Sequence, residues 1–93
     1  MKIDFRKLKV ENVDGTEIEV DISKDLGKSM YLGAFAEEEM NLGKDIYKAG
    51  EVELNRVRAS AVKKTADKIF NAFVRVALDG VLKDIISDDS VPD

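Results

Sequence analysis

The sequence predicts an α+β fold: an N-terminal β-hairpin packed on three or four α-helices, with a long C-terminal helix as spine. Two patterns carry this expectation. Over the opening third, apolar residues alternate with charged ones, the period-two signature of half-buried strands. Further on, apolar residues recur at steps of three and four, the spacing of one helix face. Composition agrees, with 44% hydrophobic and 37% charged residues and a single Pro, the balance of a folded chain.

A chain of 93 residues supports one modest core. Size scaling predicts that folding removes about 64% of the extended chain's surface, which leaves little room for a deep active-site cleft. A single domain is expected over residues 1–87, followed by a flexible acidic tail at 88–93 that contains the only Pro.

The hairpin is expected within residues 2–22. A two-residue loop at Asp14-Gly15 would set Glu11 opposite Ile18 and Lys9 opposite Val20, with charges facing the apolar row. A three-residue loop instead pairs Asn12 with Thr16, Val10 with Ile18 and Leu8 with Val20, so that the apolar residues share a face. Asn12 suits the start of a type I turn, and Gly15 falls where a left-handed residue closes the bulge. Ile3 and Phe5 are out of phase with Leu8 and Val10, which requires either a bulge at Arg6-Lys7 or a different partner.

A first helix is expected over about 24–35, with Ser23 as its N-cap and Leu26, Met30 and Ala34 on one face, Tyr31 and Phe35 beside them. Gly27 and Gly33 weaken it. A second helix is expected over 37–49. Glu37, Glu38 and Glu39 suit the positive end of its dipole, Gly50 its C-terminal stop, and Met40, Ile46 and Tyr47 its core side. Residues 51–54 alternate, and read as an extended link or a third strand beside the hairpin.

The third helix is expected over about 55–79, with Val62, Ala66, Ile69, Phe70, Phe73 and Ala77 as its stripe. A break is expected at Asp79-Gly80, with a short helix at 81–87, because Gly costs about 1 kcal/mol in a helix interior. The alternative is one unbroken helix with a second stripe of Val74, Leu78, Val81, Leu82 and Ile85. So small a monomer could not cover both faces, so that stripe is the expected interface with a partner, most simply another copy.

The absence of Cys and His excludes disulfides, Cys/His zinc sites, thiol nucleophiles and imidazole catalysis. The charged opening Met1-Lys2-Ile3-Asp4-Phe5-Arg6-Lys7 leads into no apolar signal region, and no apolar run spans a bilayer, so a cytoplasmic location is expected.

Gly27-Lys28-Ser29 sits where a phosphate loop would enter a helix, but Ile22 stands where the motif needs Gly, and Asp25 would repel phosphate. Ser60-Ala61-Val62-Lys63 has the Ser-x-x-Lys spacing of penicillin-recognising enzymes, with Lys64-Thr65-Ala66 only mimicking a companion motif; chance accounts for both. Glu37–Glu39 and Asp88-Asp89 lack the alternation of a calcium loop. No catalytic, cofactor or metal residue is expected, and no small-molecule substrate.

Net charge is −4, yet residues 55–75 carry Arg56, Arg58, Lys63, Lys64, Lys68 and Arg75 against Asp67 alone. Arg56, Arg58, Lys64, Lys68 and Arg75 are the candidate nucleic-acid contacts; no aromatic residue is interleaved on that face, and a solvated helix face explains them as well.

Lys2-Ile3-Asp4-Phe5-Arg6-Lys7, the run from Val13-Asp14-Gly15 to Asp21-Ile22-Ser23-Lys24, and Asp45-Ile46-Tyr47 leading into Gly50-Glu51-Val52-Glu53-Leu54 together carry a family likeness. Through them the chain resembles small uncharacterised proteins encoded in bacterial prophages and related mobile elements, over about the first sixty residues. The resemblance implies a setting of phage particle assembly or mobile-element regulation, and brings no catalytic residues. The function expected is a non-enzymatic interaction or assembly protein, self-associating or capping a protein partner; a small nucleic-acid-binding regulator is the alternative.

Overall fold

The N-terminal strand does not extend the hairpin; it pairs with a strand from the middle of the chain. A computed structural model describes residues 1–86, so the expected tail at 88–93 lies outside the described residues. The fold is α+β. Strands β1 (Lys2–Asp4), β2 (Leu8–Glu11) and β3 (Glu17–Val20) come first. Helices α1 (Ser23–Gly33) and α2 (Glu37–Ala49), strand β4 (Glu51–Glu53), and helices α3 (Arg56–Ile69) and α4 (Ala72–Ile86) follow.

The hairpin has the expected register, Leu8 opposite Val20 and Val10 opposite Ile18. The Asn12 N–H donates to the Thr16 carbonyl at 2.7 Å, and Gly15 closes the loop at φ +87°. Leu8 and Val10 are buried while Lys9, Glu11, Glu17 and Glu19 face water, the alternation that fixes the register.

β1 pairs antiparallel with β4, Ile3 opposite Val52, which resolves the phase problem at Ile3 and Phe5. A turn over Phe5-Arg6-Lys7 separates β1 from β2, and residues 51–53 form a strand that joins β1, not the hairpin. Phe5 knits the two small sheets together. Its N–H donates to the Gly50 carbonyl at 2.8 Å, its carbonyl accepts from the Ile22 N–H at 2.9 Å, and its ring is fully buried.

α1 begins at Ser23, which is its first residue and not its cap. The Asp21 carboxylate accepts from both the Ser23 N–H at 3.0 Å and the Ser23 hydroxyl at 2.6 Å. Ser23 thus donates its hydroxyl proton to Asp21 from inside the first turn, and Ile22 holds the N-cap position. α1 stops at Gly33, two residues short of expectation, because Ala34 is extended. α2 has the expected bounds, and Gly50, at φ +78°, donates its N–H to the Ile46 carbonyl at 2.9 Å. Its inward side is Leu42, Gly43 and Ile46; Met40 is half-buried and Tyr47 largely exposed.

The C-terminal half departs most from expectation. The long helix breaks at Phe70-Asn71, not at Gly80. The Phe70 N–H still bonds the Ala66 carbonyl at 2.9 Å, but Phe70 itself is extended. Asn71 then starts α4, its side-chain oxygen accepting from the Val74 N–H at 3.4 Å and its carbonyl from the Arg75 N–H at 3.0 Å. α4 folds back beside α3, and Lys63 Nζ bridges Asp79 at 3.1 Å and Asp67 at 3.3 Å.

Gly80 lies inside α4, with the buried Leu78 and Leu82 on either side. Burying a Leu side chain contributes about 1.5–3 kcal/mol, so the pair outweighs the roughly 1 kcal/mol that Gly costs a helix.

Candidate interaction surface

Val74, Leu78, Val81, Leu82 and Ile85, the expected partner interface, face the interior of their own chain. Leu78 and Leu82 are 1% and 0% exposed, and Val74, Val81 and Ile85 are half-buried against the same core. The break at Phe70-Asn71 is the cause. It lets α4 turn its apolar stripe onto α3 and β2 and close the core with it.

The same break exposes residues that the continuous periodicity had assigned to the core. Ile69 and Phe73 are about two-fifths exposed, and Val76 is 72% exposed on the outer side of α4. At the end of α1, Leu32 is 71% exposed, and Phe35, just past the helix, is 97% exposed. Leu32, Ile69 and Phe70 line one shallow depression with Asp25, Lys28 and Ser29, which brings apolar side chains from the end of α1 and the α3–α4 turn together.

The candidate nucleic-acid contacts are divided between two helices, Arg56, Arg58, Lys64 and Lys68 on α3 and Arg75 on α4. Arg58 donates to the Glu53 carbonyl at 3.1 Å, which anchors a cation at a helix end whose dipole disfavours it. Lys64 and Lys68 are exposed on α3, and Arg56 at its start is half-buried. Arg75 lies on α4, half-buried, with its Nε buried and without a hydrogen-bond partner among the described residues.

A different basic surface forms where α1 crosses α2. A methyl group on Gly27 would lie 2.6 Å from the Gly43 carbonyl oxygen and the Tyr47 nitrogen, and one on Gly43 2.6 Å from the Tyr31 nitrogen. The helices therefore touch backbone to backbone, a contact that only glycine permits on both sides. This crossing gathers Lys24, Lys28, Lys44 and Lys48, all the basic residues between positions 23 and 50, around Tyr31 and Tyr47. Lys24 Nζ stands 4.2 Å from the Tyr47 ring centroid and donates to the Tyr47 carbonyl at 2.7 Å. Lys28, Lys44 and Lys48 border a groove of about 410 Å³ whose apolar surface comes from Tyr31, Leu32 and Tyr47.

Gly27-Lys28-Ser29 lies within α1 and forms no loop. Ser60 and Lys63 lie on α3, with Lys63 held by Asp67 and Asp79. A second cleft, of about 630 Å³ between α2 and α3, has Glu38, Glu39 and Asp45 on one wall and Arg58 and Lys64 on the other. Among the described residues no group of His, Cys, Asp and Glu side chains gathers to hold a metal ion, and no helix is long and apolar enough to cross a membrane.

The displaced pKa values all belong to turns and exposed ion pairs. Hydrogen bonds from Arg6 hold Asp4 below the usual carboxylate range, those from Thr16 do so for Asp14, and those from Ser23 for Asp21. Hydrogen bonds to Asp79 and Asp67 raise Lys63. None of these groups borders the lysine–tyrosine groove. No protein-family model, curated protein or solved structure matches the chain.

Proposed function

We propose that this chain is a non-enzymatic protein-interaction or assembly protein that self-associates through the apolar region at the end of α1 and the α3–α4 turn. The carrying observation is that Leu32, Phe35, Ile69, Phe73 and Val76 stand exposed on a fold whose core already uses Leu78 and Leu82. Scattered single apolar residues need no explanation on a protein surface, but Leu32, Ile69 and Phe70 share one depression, and Phe73 and Val76 follow within the next two helical turns. The absence of Cys and His from the sequence supports a role without thiol or imidazole chemistry. The reading includes a cytoplasmic location and a phage-assembly or mobile-element setting, both carried over from the sequence.

Size-exclusion chromatography with light scattering tests it, with mass taken from refractive index because the chain has two Tyr and no Trp. A dimer or larger species that Phe73→Glu converts to monomer is the expected result. A 10.3 kDa monomer at every accessible concentration would refute self-association.

A further inference from the structure

We infer that the groove between α1 and α2 binds an acidic, apolar-anchored helical segment of a partner protein. This inference rests on the interaction part of the proposed function, and its groove meets the proposed self-association region at Leu32.

Charge is the first support. The protein is acidic overall, yet Lys24, Lys28, Lys44 and Lys48 converge here, and Lys28, Lys44 and Lys48 form no ion pair among the described residues. No acid lines the groove itself: Asp45 borders the cleft against α3, and Asp25 shares with Lys28 the depression beside Ile69 and Phe70. Lys24/Lys28 and Lys44/Lys48 are each like-charge pairs four residues apart, an arrangement that destabilises a helix. Asp25 and Asp45, three residues before Lys28 and Lys48, offset part of that repulsion within each helix, and an anionic occupant of the groove, which no carboxylate lines, would offset the rest.

Shape and chemistry narrow the occupant. The groove surface is mostly apolar, with Tyr31, Tyr47 and Leu32 among its lining residues, which suits an apolar anchor more than a bare anion. From Gly27 to Leu32 the groove runs about 7.5 Å along α1, close to one and a half turns of a docked helix. A nucleic-acid strand generally needs about four or more nucleotides of tracked backbone, and here it would run past the lysines onto an acidic molecule. No amide or hydroxyl in the groove other than the tyrosine hydroxyls is placed to read bases. A short helix with apolar residues at helical spacing and flanking carboxylates matches both the floor and the rim.

Fluorescence anisotropy tests this with a labelled two-turn peptide of Glu and Leu residues, Leu on one helix face. Its controls are the same peptide with Gln for Glu and a single-stranded oligo-uridine of equal charge. The expected result is saturable, salt-sensitive binding of the Glu peptide, weakened about tenfold or more both by Lys44→Glu/Lys48→Glu and by Tyr31→Ala. Lys64→Glu, on α3, should leave binding unchanged, and circular dichroism should show each variant folded. Any of three results would overturn the inference: no saturable binding, binding indifferent to the groove variants, or tighter binding of the oligonucleotide. Repeating the titration on Val76→Glu separates the two proposals, since groove binding should survive in a monomer.

Discussion

Replacing Gly27 with Ala should destabilise the protein even though Ala is the better helix former. In isolation the change favours α1 by about 1 kcal/mol. In the fold the new methyl group would sit 2.6 Å from the Gly43 oxygen and the Tyr47 nitrogen and 2.8 Å from the Tyr47 Cα, all backbone atoms that cannot swing aside. Restoring ordinary contact at 3.4 Å requires the helices to part by roughly 0.8 Å. That parting loosens the seam where Leu26 and Met30 meet the core with Leu42 and Ile46. Overpacking of this kind typically costs about 1–3 kcal/mol, and backbone on both sides places it at or above the upper end. We expect a net loss of about 2 kcal/mol, read as a fall of roughly 8–16 °C in Tm. Gly80→Ala is the matched control. It lies inside α4 with open space where its methyl group would be, so it should gain up to about 1 kcal/mol. Urea and thermal unfolding followed by circular dichroism, at one fixed protein concentration, compare the two. A Gly27→Ala protein as stable as the parent, beside a stabilised Gly80→Ala, would refute the backbone-to-backbone crossing.

Other perturbations follow from the same geometry. Asn55→Ala removes the oxygen that accepts the Arg58 N–H at 2.9 Å and should cost about 1 kcal/mol in urea unfolding, while Asn55→Gly should cost only a few tenths. Gly50→Ala forces a side chain to φ +78° and into the space of the Arg6 side chain, for a loss of about 1–2 kcal/mol or more in the same assay. Asp4, Asp14 and Asp21 titrate below their ordinary values in the folded state, so the stability they confer is present at neutral pH and lost as pH falls through and below the usual carboxylate range. Asp21→Asn should therefore be less stable than the parent at pH 7 and converge with it in acid; a gap that stays constant with pH would contradict this. Lys63 titrates above its ordinary value, so its contribution persists below the usual lysine range and fades as pH rises through it, which Lys63→Met should abolish in urea midpoints at alkaline pH.

The sequence was most legible where local chemistry alone decides the structure. Leu8, Val10 and Gly15 suffice to choose the hairpin register, because one slip would turn the buried Leu8 and Val10 to water; Ile18, opposite Val10, stays largely exposed. Glu37–Glu39 and Gly50 bracket α2 because both ends carry their own signals. Legibility failed where a distant partner decides. Ile69, Phe70 and Phe73 keep helical spacing across Asn71, so local periodicity continues through a break that exists only because α4 finds better burial against α3 and β2. Marking Asn71 as a helix start would have grouped Val74, Leu78, Leu82 and Ile85 as core and left Phe73 and Val76 outside. Gly27 read as a weakness in a helix because its reason, Gly43, lies on another element. The four lysines of α1 and α2 are hidden likewise, diluted in sequence by five acids, none of which lines the groove.

Sedimentation equilibrium and thermal melts on Val76→Glu and Leu82→Glu, side by side, test most directly which face of α4 is the working surface. Val76→Glu is expected to stay folded, melt near the parent and sediment as a monomer where the parent does not. Leu82→Glu, which buries a charge at a fully enclosed site, should lose its cooperative melt. A folded, monomeric Leu82→Glu beside an unchanged oligomer of Val76→Glu would place the working surface on the other face of α4.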